Sequence, residues 1–240
     1  MSAHFSDEAL TQPVRDAIHT FALHGRELLT REAHDLLEGV YGLHSDGAIE
    51  KPENLPALSD PAVRQVYERL KGFLKDEIDA GLPAQEAVAK LVKEIAFTHL
   101  NRLVAFKMLE TSKLIREAVG RGVDSNGFKF YLADHPADEA HWRAGQTESA
   151  YANFLRWQAG EIAREVPVLF EQENLASSLM PRQAVLNLAL GMVNAPELAA
   201  AWSAEETIGW VYQFFNEREN EAVFDRLFKQ KQKIGTVQKW

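Results

Sequence analysis

Two long stretches of helical spacing dominate this sequence and restrict it to a fold built mainly from helices. The first runs from about Asp7 to Tyr41, and the second from Ala84 to about Val119. In both stretches the apolar residues recur with the period of a helix, so they share one side while charged residues occupy the other. Phe128-Lys-Phe-Tyr-Leu132 is the only strand-like run. The sequence therefore predicts a mainly α, multi-helix bundle-like domain.

Glycine and proline divide the chain between these stretches. We expect a break in the first helix near Gly25 or Thr30, and a loop over residues 42–61. Ser59-Asp60-Pro61 predicts the start of the next helix, because an Asp side chain caps free backbone N–H groups and Pro suits the first helical turn. That helix is expected to end near Ala80.

Residues 120–141 interrupt the helical pattern most clearly. They hold three glycines, one proline and the strand-like run, and we predict a short β-hairpin or an irregular insertion there. This interruption also suggests how the chain is organised. We predict an N-terminal helical subdomain over residues 1–120, a second helical subdomain packed on it over 142–232, and a basic linker toward a missing catalytic domain over 233–240.

Charge is distributed unevenly. The net charge is −9, and such a surface repels phosphate except where positive charge is locally concentrated. Residues 1–225 hold 21 Lys and Arg against 35 Asp and Glu, a net of −14, whereas the last 15 residues carry +5. The cations of this terminal strip are Arg226, Lys229, Lys231, Lys233 and Lys239. The strip is either a solvated helix end and linker or a segment that contacts DNA or a following domain.

The composition excludes several classes of protein. The sequence has no cysteine, so disulfides, zinc–thiolate sites and cysteine nucleophiles are ruled out. Its first residues lack the basic and apolar regions of a secretion signal, and no apolar run reaches the ~20 residues of a membrane span. We expect a soluble, cytoplasmic protein that has no membrane partner.

The sequence contains no motif for catalysis. An adenine-methylating enzyme needs an Asn/Asp-Pro-Pro-Tyr/Phe loop to hold the flipped base, and every proline here is isolated. A Gly-Lys-Ser/Thr phosphate loop is absent, and the acidic residues beside lysines lack the spacing of a nuclease centre. The densest histidine cluster, His135 to His141, fits a polar loop better than a metal site. We predict no catalytic, cofactor-binding or metal-binding residue in this chain.

The segment Ala96-Phe-Thr-His-Leu-Asn-Arg-Leu-Val-Ala-Phe-Lys-Met108 places polar residues inside an apolar helix. Buried polar groups must be paired, so Asn101 and Arg102 are expected to tie this helix to a neighbouring helix or loop. His99 is interpreted as a hydrogen-bonded interior histidine. From the residues alone, this segment is core.

A second segment, Ile208-Gly-Trp-Val-Tyr-Gln-Phe-Phe215, is rich in aromatic residues. Aromatic side chains surround much of this helix, which predicts burial on more than one side. Gly209 costs about 1 kcal/mol relative to Ala inside a helix, which is tolerable where another backbone packs closely. Ser203-Ala-Glu-Glu206 matches a capping box and predicts the start of this last large helix, which is expected to extend to about Lys231.

Together the two segments resemble the N-terminal, pre-catalytic region of the PglX-like adenine-specific DNA methyltransferases of BREX and related phage-defence systems. The resemblance covers roughly residues 85–235. Its specific positions are the couple Asn101-Arg102 and, in the second segment, Gly209, Trp210, Tyr212 and Gln213. In that family the chain continues into a cofactor-binding, target-flipping domain, so the resemblance places no catalytic residue in this chain.

The resemblance implies a scaffold and docking domain of a site-specific adenine N6 DNA methyltransferase. It implies S-adenosylmethionine as the cofactor of the parent enzyme. The implied partners are the following methyltransferase domain, duplex DNA through the intact enzyme, and other defence-system proteins. Two alternatives stay open: a stand-alone interaction or regulatory protein of a defence complex, and an acidic DNA mimic.

Overall fold

The computed structural model describes residues 10–165, 170 and 174–217. These residues are mainly helical, which confirms the mainly α part of the predicted fold, and they contain no β-sheet, only an isolated bridge between Leu43 and Ile49. The helices are α1 (Gln12–Tyr41), α2 (Pro61–Asp79), α3 (Ala84–Thr111), α4 (Asn126–Asp134), α5 (Pro136–Arg143), α6 (Thr147–Ala163), α7 (Leu175–Ser178), α8 (Gln183–Val193) and α9 (Thr207–Phe215). Short 3₁₀ turns lie at Pro52–Asn54, Pro56–Ser59, Gly122–Asp124, Pro196–Leu198 and Ala201–Ser203.

The two longest helices, α1 and α3, pack against each other. At their contact, a Cβ built on Gly25 would lie only 2.7 Å from Cδ1 of Leu100. The expected break near Gly25 or Thr30 is therefore wrong, because α1 continues without interruption through both positions. The glycine instead gives Leu100 the space to approach the backbone of α1.

The start of α2 confirms the predicted cap. Oδ1 of Asp60 accepts a hydrogen bond from the backbone N–H of Ala62 at 2.7 Å, and Pro61 occupies the first helical position. An Asp in this position satisfies one of the N–H groups that a helix start leaves without an intrahelical partner.

The predicted β-hairpin within residues 120–141 is wrong. The strand-like run lies inside α4, where the buried residues are Gly127, Phe128, Tyr131 and Leu132. The aromatic and leucine positions follow the i, i+3, i+4 spacing of a helix, and Ser125 caps the start by accepting from the N–H of Phe128 at 3.4 Å. A five-residue apolar run fits either period, and here packing selects the helix.

α3 ends at Thr111, although the spacing predicted an end near Val119. The chain leaves the helix through Lys113, which has a φ of 60°, and the N–H of Leu114 donates back to the carbonyl of Leu109 at 2.9 Å. This left-handed turn satisfies carbonyl groups that the helix end leaves without an intrahelical partner.

Two apolar clusters form the core. The larger one joins the first half of α1 and the second half of α3 to α4, α6, α8 and α9, and it holds the buried Trp202. The smaller one joins the second half of α1 to α2, the first half of α3 and α7. Side chains from both predicted subdomains contribute to the larger cluster, and the division of the chain into subdomains stays a prediction.

Candidate functional site

The fold brings together the two segments that sequence analysis singled out. They lie on α3 and α9, more than a hundred residues apart in the chain, and the ring of Phe97 joins them. Its centroid is 5.5 Å from that of Tyr212 and 5.1 Å from that of Phe215, both in edge-on geometry. Such pairs are favoured arrangements of aromatic rings. The two segments therefore form one structural unit.

The polar residues of α3 are buried and paired, as predicted for His99 and Arg102. Nε2 of His99 contacts the carbonyl of Leu179 at 2.8 Å, and Nη2 of Arg102 donates to Oγ of Ser177 at 2.7 Å. Both partners lie on the segment of α7 and its end, so these bonds tie α3 to that segment. Asn101 is also buried, with 4% of its surface exposed.

Burial sets the charge of this cluster. It lowers the pKa of His99 to about 4, and the neighbouring guanidinium of Arg102 acts in the same direction. The imidazole is therefore neutral at physiological pH, where it forms its bond to Leu179 without an ionic charge. Burial also lowers the pKa of Arg102.

A small cavity lies beside these polar side chains. Its volume is about 30 Å³, and its lining includes His99, Arg102, Arg156, Phe106 and Met180. A water molecule needs roughly 10–15 Å³ of such space, so the cavity holds about two waters, far less than a cofactor requires.

The aromatic segment is less buried than predicted. On α9 only Thr207, Val211 and Phe215 are buried, whereas Tyr212 is 58% exposed. The expected burial on more than one side holds only in part: Trp210 and Phe214 are partly buried and pack against the core, whereas Tyr212 faces solvent. Gln213 is also exposed.

Gly209 and Trp210 also differ from expectation. Gly209 is exposed, and a Cβ added there would meet no atom within 4 Å, so no backbone packs closely against it. Trp210 is half-buried, with the guanidinium of Arg15 at 5.4 Å from its ring centroid. Gly209, Tyr212 and Gln213 are the exposed residues of α9 and form one side of the helix, which we call the α9 face.

The predicted capping box is wrong as well. Ser203 lies in the preceding 3₁₀ turn, and α9 starts at Thr207 with no side-chain cap from Glu206. Glu206 instead accepts from the N–H of Leu10 at 2.8 Å, and Oγ1 of Thr207 donates to the carbonyl of Ala201. The start of α9 is therefore fixed by one local bond and by one bond to a residue 196 positions away, which a local motif does not reveal.

An open groove of about 1320 Å³ runs between the outer sides of α1 and α3. Its lining residues include His19, His24, His34, Arg26, Arg31, Lys90 and Lys93. Several of these cations are engaged: Arg31 pairs with Glu27 at 3.0 Å, and Lys90 with Glu77 at 2.6 Å. Arg26 donates to the carbonyl of Phe215 and so fastens the end of α9 to α1.

An ion pair between a buried carboxylate and an exposed arginine was not predicted from the sequence. Glu32 on α1 is 3% exposed, and its carboxylate accepts from the backbone N–H of Arg182 at 2.6 Å and from Nη2 at 2.6 Å. Asp35 adds a second contact to the same guanidinium at 3.1 Å. The partners lie 150 positions apart, and no local pattern in the sequence connects them.

The remaining sequence predictions concern metals, membranes and the terminal strip. Among the described residues no group of His, Asp and Glu is arranged to hold a metal ion. No single described helix has both the length and the apolar character to cross a membrane; Gln183–Val193 and Pro196–Ser203 reach them only as a pair, bent by 55°. The cations of the terminal strip, Arg226, Lys229, Lys231, Lys233 and Lys239, lie outside the described residues, as does the expected end of the last helix near Lys231.

Comparison with known proteins finds a distant sequence similarity to an enzyme. It is 23% identical, over an alignment of 259 positions, to a protein named adenine-specific methyltransferase PglX from Lacticaseibacillus casei (strain Zhang). The alignment covers 88% of this chain but 20% of that relative, so the chain corresponds to about a fifth of the relative's length. No protein-family model matches the chain, and no solved structure does.

Proposed function

We propose that this chain is the N-terminal helical domain of a PglX-like, site-specific adenine N6 DNA methyltransferase of a phage-defence system, and that it acts as a scaffold and docking surface. The distant similarity to PglX, which extends over most of this chain and a small part of the relative, supports this proposal. The parent reaction is methyl transfer from S-adenosylmethionine to adenine in duplex DNA, in the manner of a BREX or restriction–modification system. A cytoplasmic location follows from that substrate.

The observation that carries the proposal is the meeting of the two family-like segments at Phe97. One of them supplies buried, hydrogen-bonded residues, and the other leaves polar and aromatic residues exposed on the α9 face. An exposed tyrosine beside an exposed glutamine, as at Tyr212 and Gln213, is common where two domains meet. We propose that α3 is framework and that the α9 face contacts the following methyltransferase domain.

We propose that the chemistry of the parent enzyme comes from residues outside this chain. The sequence has no Asn/Asp-Pro-Pro-Tyr/Phe loop, and the cavity beside Arg102 is too small for S-adenosylmethionine. Cofactor and target adenine are therefore assigned to the methyltransferase domain of the intact enzyme.

A capture experiment tests this function. An antibody raised against the recombinant chain is used to isolate the native product, which is then incubated with duplex DNA and methyl-labelled S-adenosylmethionine. We expect label at N6 of adenine from the native product and none from the recombinant 240-residue chain. Captured product that transfers no methyl group would contradict the proposal and favour a stand-alone interaction protein.

A further inference from the structure

Exposed cations cluster at the end of α3 and on α4. Lys113 and Arg116 lie in the segment that follows α3, and the guanidinium of Arg116 lies over the ring of Phe130, 4.1 Å from its centroid. Lys129 is exposed beside Phe130, which is itself 53% exposed. We call these four residues the basic patch.

Among the described residues, the cations of the basic patch differ from their neighbours in having no acidic partner. Lys107 pairs with Glu110 at 2.8 Å, and Arg121 pairs with Glu117 at 2.5 Å. In the part of the chain that the structure describes, the three cations of the patch form no ion pair. Positive charge is thus locally concentrated on a protein whose net charge is −9.

Lys113 occupies a position where its residue type is unfavourable. The bonds from the N–H of Lys113 to the carbonyl of Glu110, at 3.1 Å, and from Leu114 to Leu109, at 2.9 Å, form the motif that usually ends a helix with glycine. Among the described residues, Lys113 is the only non-glycine residue with positive φ. A lysine here costs stability that a glycine would not, which points to a use for its charge.

The loop that follows Lys113 and Arg116 is held in place by hydrogen bonds. Oε2 of Glu110 accepts from three consecutive backbone N–H groups, those of Ala118, Val119 and Gly120, at 2.8, 2.9 and 3.2 Å. The hydroxyl of Tyr151 donates to the carbonyl of Ala118 at 2.9 Å. The patch is therefore displayed between a fixed helix end and a fixed loop, which lowers the entropy lost when a ligand binds.

We propose that the basic patch binds the phosphate backbone of duplex DNA. The identity of the nucleic acid rests on the proposed function, which assigns duplex DNA to the parent enzyme. Three cations with no acidic partner match the charge of neighbouring phosphates. The contact with Phe130 restrains the Arg116 guanidinium, whose paired N–H donors are of the kind that phosphate oxygens accept.

The same patch is less suited to an anionic membrane surface. Insertion into a membrane needs apolar side chains that project freely, whereas the Phe130 ring is covered on one face by Arg116. For the same reason the ring offers at most one free face to an unstacked base, so we favour contacts to the backbone over base stacking.

Fluorescence anisotropy with labelled duplex DNA tests the proposal on the full recombinant chain. We expect the wild type to bind at about 1–100 µM in low salt, and the triple variant Lys113→Ala, Arg116→Ala, Lys129→Ala to bind about 10–100-fold more weakly. The slope of log affinity against log salt should fall by about 3 in that variant. A matched control, Lys71→Ala, Lys75→Ala, Arg143→Ala, removes the same residue types from exposed positions that are ion-paired. It should keep most of the affinity.

Single substitutions at Lys113 separate a DNA contact from a structural role. Lys113→Gly relieves the left-handed backbone, so it should raise Tm by about 2 °C while it weakens DNA binding several-fold and lowers the salt slope by about 1. Lys113→Ala should weaken DNA binding as much as Lys113→Gly does, but it should leave Tm unchanged or reduce it. A variant that is more stable but binds DNA less well is not explained by loss of folding.

Several outcomes would overturn the proposal. It fails if the wild type does not bind duplex DNA in low salt, or if the triple variant and its control lose affinity equally. It also fails if only charge reversal of Lys229, Lys231 and Lys233 removes binding, which would assign the contact to the terminal strip. Binding to phosphatidylserine vesicles without binding to DNA would assign the patch to a membrane. None of these measurements depends on methyl transfer, so the proposed function can fail separately.

Discussion

The helices α3 and α9 hold the two segments that resemble the same family, but they use their polar residues in opposite ways. On α3, His99 and Arg102 are buried and bonded to the segment around α7. On α9, Tyr212 and Gln213 are exposed, and the helix is attached through Val211 and Phe215. The two segments that resemble the family therefore meet different physical requirements. Polar residues of α3 maintain the fold, whereas those of α9 stay exposed to solvent.

The difference shows most sharply within α9 itself. Phe215 has no exposed surface, and Tyr212 three residues earlier is 58% exposed. Phe215→Ala should lower the free energy of unfolding by about 3–5 kcal/mol, whereas Tyr212→Ala should lower it by about 1 kcal/mol or less, since it loses mainly one edge contact to Phe97. Urea unfolding measures both. Similar losses for the two variants would show that the α9 face is part of the core.

On α3, removal of Arg102 tests whether the buried polar residues maintain the fold. Arg102→Ala leaves the hydroxyl of Ser177 without its guanidinium donor and enlarges the adjacent cavity, so we expect a loss of about 3 kcal/mol. Arg102→Met keeps much of the volume and should recover part of that loss. Gln213→Ala on the α9 face, measured by the same urea titration, should change stability by less than about 0.5 kcal/mol. A near-neutral Arg102→Ala would contradict a structural role for this side chain.

His99 should make stability depend on pH. Its pKa falls from 6.5 in the unfolded chain to about 4 in the folded protein, so between these values the unfolded chain binds a proton that the folded protein does not. The stabilisation is present above pH 6.5 and is lost as the pH falls toward 4, by up to about 3 kcal/mol. His99→Gln can still donate to the carbonyl of Leu179 but does not titrate. The urea midpoint should therefore vary less between pH 4.5 and 7.5 in this variant than in the wild type. Equal variation in the two proteins would show that His99 is not the source of the pH dependence.

One small expected effect has the opposite sign. Gly209 lies in a helix with open space around it, so Gly209→Ala should raise stability by about 0.5–1 kcal/mol. Gly25→Ala is the control on the buried side, because the added Cβ would lie 2.7 Å from Leu100 and should be destabilising. Thermal unfolding of both variants compares them directly. Stabilisation by both would mean that α1 and α3 do not pack as closely as described.

Local sequence signals predicted what depends on neighbouring residues. The helical periods of α1 and α3, the Asp60 cap and the internal hydrogen bond of His99 all follow from spacing or residue type within one segment. The helix break predicted at Gly25 was wrong because glycine weakens an isolated helix but also permits close packing between two helices. The sequence pattern showed that a polar group needed a partner without showing which one.

Tertiary packing decided the rest. The run Phe128-Lys-Phe-Tyr-Leu132 has strand propensity, yet its i, i+3, i+4 residues are buried by α6 and the surrounding core. The exposure of Tyr212 and the ion pair between Glu32 and Arg182 depend on segments far apart in the chain. The Lys113 turn left no sequence signal at all, because the expected residue at such a position is glycine.

The central claim is that this chain is a non-catalytic part of a DNA methyltransferase, and the intact mass of the native product tests it most directly. The product is captured from its own cells with an antibody against the recombinant chain and measured by mass spectrometry. We predict a polypeptide several times heavier than 27.0 kDa whose sequence continues into a methyltransferase domain. A native product of 27.0 kDa would contradict this account and identify the chain as a separate protein.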